Sequence, residues 1–147
     1  MSSDSSSLTA IIEGHAASLL AEGKLAEAQT VAREVLEAAR EAVAGDASQL
    51  PLLVQALENL AEIQREGGEY AESEQLYTEA IERATEAELD PAVTAQIRAA
   101  LATVIDLSGR EEDSLPVYEQ AIKELEALTP PDLVTAGQMR DKVSLNS

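Results

Sequence analysis

Apolar residues recur along this chain at intervals of three and four positions, in segments of about the length of a helix. Such spacing places them on one stripe of an α-helix, with charged residues on the other faces. In the segment from 51 to 67 the stripe consists of Val54, Leu57, Leu60, Ala61 and Ile63. No segment alternates apolar and polar residues over the length of a strand. We therefore predict helices near residues 7–22, 25–44, 51–67, 70–88, 91–108, 111–128 and 132–144.

Proline and glycine divide these segments at nearly even intervals. Three prolines lie 40 residues apart, at Pro51, Pro91 and Pro131. Three glycines alternate with them, 45 and 41 residues apart, at Gly23, Gly68 and Gly109. Proline is tolerated in the first turn of a helix, and glycine readily takes the left-handed backbone that ends one. We therefore predict helices that begin near the prolines, end near the glycines and form antiparallel hairpins through short loops.

Stacked hairpins can bury their apolar stripes, whereas a single hairpin cannot. We therefore predict one domain over residues 7–147, with hairpins at about 7–45, 51–88 and 91–128. The last segment, 132–144, has charged residues beside the apolar residues Val134, Met139 and Val143. It is expected to cover the open end of the third hairpin as a capping helix. Residues 1–6 are expected to form a flexible tail.

Small and aromatic residues recur at fixed positions when the hairpins are superimposed at their glycines. In the second hairpin these residues are Gly68, Tyr70, Ser73, Tyr77 and Ala80. In the third they are Gly109, Ser114, Tyr118 and Ala121, whereas the first keeps the spacing without an aromatic residue, in Gly23, Leu25, Ala28, Ala32 and Val35. Small residues let two helices approach closely, and an aromatic ring fills the remaining space.

This pattern resembles the tetratricopeptide repeat. The resemblance implies an all-α, right-handed tetratricopeptide-repeat solenoid of three helix hairpins plus a C-terminal capping helix. The residues at the structural positions of the repeat are Gly23, Ala28, Leu60, Ala61, Gly68, Tyr70, Tyr77, Ala80, Leu101, Ala102, Gly109, Pro116, Tyr118 and Ala121.

The length of the repeat, near 42 residues, is similar to that of kinesin light chains. The segment 58–61 is similar to the Asn-Asn-Leu-Ala stretch of that family, and 114–118 is similar to its Ala-Glu-Pro-Leu-Tyr stretch, with Pro116 at the same place. The resemblance covers about residues 8–128. Kinesin light chains use inner-helix asparagines to hold an extended cargo peptide by its backbone. Only Asn59 is kept here, because Gly14 and Ala100 occupy the equivalent positions.

Among related proteins, the chain is similar to the short bacterial kinesin-light-chain-like proteins, which accompany bacterial tubulins and bind their filaments. That likeness implies a tubulin-like filament as one candidate partner.

The chain is strongly acidic, with 28 acidic residues against 10 basic ones and a formal net charge of -18. Nucleic acid and anionic membranes are bound by clusters of lysine and arginine, which this sequence lacks, so neither is expected as a partner. The excess acid either keeps an alanine- and leucine-rich protein in solution or meets a basic partner. The absence of cysteine, of a signal-peptide pattern at 1–7 and of a membrane-length apolar stretch suits a cytoplasmic protein.

No catalytic, metal-binding or cofactor-binding residues are predicted, and the chain is not expected to be an enzyme. The single histidine, His15, is expected to be a packed or capping residue and not a metal ligand. The pair Gly67-Gly68 lacks the spaced glycines and the lysine of a phosphate loop. The acidic run from Glu66 to Glu74 lacks the geometry of a calcium loop and is expected to be a solvated face.

A binding surface is instead predicted on the first helix of each hairpin, which lines the concave side of a tetratricopeptide stack. The candidate groove residues are Glu13, Ala17, Gln55, Glu58, Asn59, Glu62, Gln96, Ala99, Thr103 and Asp106. We expect a non-catalytic adaptor that binds another protein there. The alternatives are a protein that binds and stabilises bacterial tubulin filaments, and a self-associating helical module. A monomer is expected, with weak self-association as the alternative.

Overall fold

The structure is a computed structural model that describes residues 14–128 and 132–146, and all its regular elements are helical. Helix α1 covers 14–21 within this range, and a single 3-10 turn, Ala47–Gln49, precedes the third helix. The other helices are α2 (Leu25–Gly45), α3 (Leu50–Glu66), α4 (Tyr70–Glu86), α5 (Pro91–Leu107), α6 (Glu111–Glu126) and α7 (Leu133–Asn146). The predicted tail at 1–6 and the predicted groove residue Glu13 lie outside the described residues.

Proline and glycine mark the helix ends as predicted in the described residues, and the third proline, Pro131, lies outside them. Pro51 lies in the first turn of α3, and α5 begins at Pro91 behind Asp90, whose side chain accepts a hydrogen bond from the backbone N–H of Ala92 at 2.9 Å. Gly68 ends the α3 turn with a φ of 77°, and Gly23 and Gly109 have φ values of 77° and 88°. Side chains other than glycine seldom adopt this left-handed backbone.

Consecutive helices pack against each other from α2 to α7, so the hairpins are stacked in series. The joints contain the small and aromatic residues predicted from the repeat. Ser73, Ala80 and Tyr118 have no exposed surface, and Tyr77 is 5% exposed. The hydroxyl of Ser73 donates to the backbone oxygen of Ala61 at 2.7 Å, which requires close approach of α3 and α4. The all-α tetratricopeptide solenoid predicted from the sequence is confirmed.

A chain of polar side chains centred on the buried residue Gln64 joins α2, α3 and α4. Gln64 is 1% exposed; its side-chain oxygen accepts from Gln29 at 2.7 Å, and its nitrogen donates to Glu72. Glu72 in turn accepts two hydrogen bonds from Arg33, at 2.8 and 3.0 Å. Because both polar atoms of the buried Gln64 amide are hydrogen-bonded, this chain favours one arrangement of the helices over others.

Helix α7 covers the last hairpin through Ala136 and Met139, which are 1% and 9% exposed, with Val143 partly buried beside them. The expectation that Val134 contributes to this cap is wrong, because its side chain is 74% exposed. Val134 lies two residues from Ala136, and side chains at that spacing do not share a helix face. Exposed Val134 belongs instead to the outward face of α7, with Leu133 and Leu145.

His15 is exposed, so the expectation that it packs is wrong. Leu60 and Leu101 occupy the same position relative to their glycines and are buried in the core shared with the preceding helices. Within the described residues, no preceding hairpin covers α1. The histidine therefore faces solvent at this end of the stack.

Candidate protein-binding groove

The first helices of the three hairpins, α1, α3 and α5, carry the predicted binding residues on what we call the inner face. Ala17, Gln55, Glu62 and Gln96 are exposed on it, whereas Glu58, Asn59, Thr103 and Asp106 are half-buried. Ala99 is 4% exposed and therefore offers no surface to a partner.

Helix α7 is held against part of this predicted surface. Ala99 packs in one cluster with Ala136 and Met139 of α7. The side-chain nitrogen of Gln96 also donates to Asp132 at 2.7 Å, at the start of α7. The third hairpin therefore uses part of its predicted binding surface to hold the capping helix, which the sequence pattern did not indicate.

A cleft of about 350 Å³ opens on the inner face between α1 and α3. It brings together three of the predicted residues, Ala17, Asn59 and Glu62. Sequence reasoning missed the others that line it, which are Leu20, Ala21, Ile63 and Glu66. The glycine register could have found two of them, because Ala21 and Glu66 each lie two residues before the glycine that follows their helix.

Asn59 has a hydrogen-bond donor without an acceptor. Its Nδ2 atom is buried, and within the described part of the chain it has no hydrogen-bond partner. A buried unsatisfied donor costs about 1–3 kcal/mol, so such groups are rare unless something else satisfies them. Asn59 lines the α1–α3 cleft, so this unpartnered donor lies in the wall of the cleft.

Two tyrosine rings reach from the second helix of their hairpins toward the inner face. The hydroxyl of Tyr118 lies 3.5 Å from Asp106, and burial raises the pKa of this phenol. Burial likewise raises the pKa of Tyr77 to about 12; Arg65 opposes the increase, and the carboxylates of Glu62, Glu58 and Glu66 add to it. Both phenols are therefore neutral at physiological pH and lie beneath the acidic part of the inner face.

Charge on the α3 part of the inner face is incompletely balanced. Arg65 lies 3.0 Å from Glu66 and 3.9 Å from Glu62, and these carboxylate side chains are 50% and 62% exposed. One guanidinium thus serves two carboxylates on the same helix. Ion pairs this exposed contribute only about 0–1 kcal/mol and leave the carboxylates accessible to a partner.

Charges on the second helices are paired differently, in what we call the outer row. Arg33 binds Glu72 and Arg40 binds Glu79, so two bidentate pairs link α2 to α4. The guanidinium of Arg110 reaches back to Glu74 with contacts of 2.8 and 3.0 Å. Glu72 and Glu74 belong to the acidic run that was expected to be merely solvated; each instead binds an arginine from a neighbouring hairpin.

A larger cleft of about 510 Å³ lies between the turn after α4 and the end of α6. Two of its polar side chains are already satisfied, since Thr85 donates to the backbone oxygen of Ile81 and Glu124 accepts from Arg98 at 2.6 Å. The α1–α3 cleft, with its unpartnered donor, is the better candidate for a binding site.

Within 14–128 and 132–146, no group of three or more histidine, aspartate and glutamate side chains is arranged to hold a metal ion. None of the helices in the same residues is long and apolar enough to cross a membrane.

The sequence model of the tetratricopeptide repeat family matches residues 52–126, just over half of the 147-residue chain. The chain belongs to the tetratricopeptide repeat family. The matched span covers most of the second and third hairpins and includes the three tyrosines of the repeat pattern, Tyr70, Tyr77 and Tyr118. Tetratricopeptide modules are typically non-catalytic and bind other proteins. No significant match is found among curated proteins.

A solved structure similar to this tetratricopeptide chain is that of BtubC (BKLC) from P. vanneervenii, with a TM-score of 0.66 and 26% sequence identity. The match covers 83% of this chain and 48% of BtubC, so the chain spans about half the length of that protein. The resemblance to bacterial kinesin-light-chain-like proteins, inferred from the sequence, is confirmed by this match.

Proposed function

We propose that this chain is a non-catalytic cytoplasmic adaptor that binds a protein partner through the inner face. The observation that supports this proposal most directly is the α1–α3 cleft, where the buried donor of Asn59 has no acceptor in the part of the chain that the structure describes. A folded protein keeps such a group when a binding function requires it. The accessible carboxylates of Glu62 and Glu66 beside it give the surface a charge that a partner can read.

A charge-reversal pair tests the inner face. Binders are first selected from a random peptide library displayed against the immobilised chain, and their affinities are then measured for Glu58→Lys with Glu62→Lys. We expect these affinities to fall by about tenfold or more while the helical circular dichroism spectrum is retained. Unchanged affinity would assign binding to the outer row or to an edge of the stack.

The matched control is Glu37→Lys with Glu41→Lys, which makes the same charge change at the same spacing on exposed positions of α2. This control is expected to leave the affinities within about twofold, since screened charges on a distant face contribute little to binding. An equal loss in both variants would mean that net charge and not the inner face determines binding.

A second candidate function is binding to a tubulin-like filament, which the chain would decorate and stabilise. The similarity to BtubC and the kinesin-light-chain-like segments around Asn59 and Pro116 favour this candidate. Co-pelleting with assembled bacterial tubulin filaments tests it. The chain is expected in the pellet at low salt, and its absence there would reject the filament as partner.

Self-association is the remaining alternative, and the outward face of α7 favours it. Leu133, Val134 and Leu145 are 65%, 74% and 83% exposed there. Sedimentation velocity over a range of concentrations separates the two states. A monomer at every concentration would remove this alternative and leave the adaptor proposal intact.

A further inference from the structure

The α1–α3 cleft has two walls of different chemistry. The α1 wall is apolar and consists of Ala17, Leu20 and Ala21, whereas the α3 wall includes Glu62 and Glu66. Counted back from Gly23 and Gly68, Ala17 is equivalent to Glu62 and Ala21 to Glu66. Small apolar residues in α1 thus replace the carboxylates present in α3. They leave room between the helices for a side chain from outside, and that side chain must be apolar to match this wall.

The acidic wall determines which charge can lie beside that apolar side chain. The side chains of Glu62 and Glu66 are 62% and 50% exposed, and Arg65 is the cation that pairs with both. The whole chain carries a formal net charge of -18, so its field attracts cations and repels anions as they approach. Complementary charge steers a partner to its site and disfavours partners of like charge.

We infer that the α1–α3 cleft binds a partner segment in which one aliphatic side chain is flanked by lysine or arginine. The aliphatic side chain lies against Ala17 and Ala21, and the flanking cations meet Glu62 and Glu66. This inference rests on the proposed function, because the cleft is part of the inner face.

Synthetic peptides test this chemistry directly. The probe is the fluorescein-labelled peptide Gly-Lys-Lys-Leu-Lys-Lys-Gly, and its fluorescence anisotropy is followed as the full chain is added. We expect a dissociation constant below about 1 mM that weakens as salt is raised, because exposed charges are screened. Replacing the central leucine of the probe by alanine is expected to weaken binding about tenfold.

Filling the cleft separates it from other acidic surfaces. Ala17→Leu adds a bulky side chain to the apolar wall at an exposed helical position, where leucine is nearly as good a helix former as alanine. This variant is expected to weaken probe binding about tenfold or more. The matched control, Ala38→Leu, makes the same change at an exposed position of α2 and is expected to bind the probe as the parent does.

Three results would overturn the inference: no measurable probe binding, equal binding of the leucine and alanine probes, or equal binding by Ala17→Leu and the parent. The peptide Gly-Glu-Glu-Leu-Glu-Glu-Gly then tests the remaining chemistry. If this acidic peptide binds tightly and Ala17→Leu abolishes its binding, the inference that the partner segment is basic is overturned, whereas the adaptor proposal stands. If the library-selected peptides bind the Glu58→Lys, Glu62→Lys variant as tightly as the parent, the inner face is not the binding surface.

Discussion

The inner face and the outer row belong to the same stack of hairpins but satisfy their charged and polar groups in different ways. In the outer row, Arg33 and Arg40 each hold a glutamate of the next hairpin through two hydrogen bonds. On the inner face, Arg65 pairs with Glu62 and Glu66 of its own helix, and Asn59 has a buried donor without an acceptor among the described residues. The outer row therefore holds neighbouring hairpins together, while the inner face keeps groups that a partner can satisfy.

This difference has an energetic reason. A bidentate ion pair between two hairpins stabilises the stack only if both side chains remain in that pair. A surface built to bind must keep some of its groups uncommitted, and the folded state is less stable for it. Substitutions that remove one group at a time show whether stability and binding change together or in opposite directions.

The largest effect is expected at the joint that supports both sides. Tyr77 is 5% exposed between α3 and α4, so Tyr77→Ala is expected to lower the free energy of unfolding by about 3 kcal/mol or more. Urea denaturation followed by circular dichroism measures this loss. Tyr70→Ala, at a half-buried ring on the same helix, is the control and should cost less. A loss below about 1 kcal/mol for Tyr77→Ala would show that the ring is not part of the core.

The sequence predicted this joint because the pattern that encodes it is local and repeated. Glycine at a left-handed turn, a small residue near the next turn and one ring recur at fixed spacing, and each has a physical requirement that few other residues meet. The same pattern does not predict the backbone conformation of Glu88. This residue takes a left-handed φ of 54° after α4, a conformation the sequence marks only when glycine is present.

Contacts between distant side chains were not predictable from the same pattern. The Gln29–Gln64–Glu72 chain depends on the rotamers of three polar residues in three helices. The burial of Ala99 depends on where α7 docks, and the spacing of apolar residues in α7 did not show which of its faces would pack. Of the candidate site, the sequence therefore identified the helices and several residues of the cleft, but neither its apolar wall nor its unpartnered donor.

The next largest effect is expected at Asn59, where stability and binding should change in opposite directions. Asn59→Leu removes a buried donor without an acceptor, so we expect the free energy of unfolding to rise by about 1 kcal/mol. The same change alters the wall of the α1–α3 cleft and should weaken binding of the selected peptides. Urea denaturation and anisotropy measure the two quantities. A variant that is less stable than the parent would show that the amide is satisfied in the native state.

The outer row should make the stability of the fold depend on pH. The hydrogen bonds from Arg33 and Arg40 hold the pKa values of Glu72 and Glu79 below the ordinary 4.5. Groups with a lowered folded pKa stabilise the protein above their unfolded pKa, and this contribution is lost as the pH falls through the folded pKa. We therefore expect the outer row to contribute fully above about pH 5 and to lose its effect progressively below pH 4.5.

The variant Arg33→Met with Arg40→Met isolates this contribution. The difference in unfolding free energy between parent and variant, measured at a series of pH values, should be largest near neutral pH and shrink on acidification. Using the difference removes the effect of protonating the other carboxylates, which both proteins share. A difference that stays constant down to pH 3 would mean that these pairs do not stabilise the fold through their charges.

The smallest effect is expected from a matched pair of glutamates, one on each side. Glu79→Gln breaks the bidentate pair with Arg40, whose shortest contact is 2.6 Å, and should cost about 0.5–1 kcal/mol. Glu62→Gln removes a carboxylate that is 62% exposed and 3.9 Å from its arginine, so its change should stay within about 0.5 kcal/mol. Peptide binding should show the reverse order, with Glu62→Gln weakening it and Glu79→Gln leaving it unchanged. Equal stability losses would mean that the inner carboxylates also hold the stack together, and the contrast between the two sides would disappear.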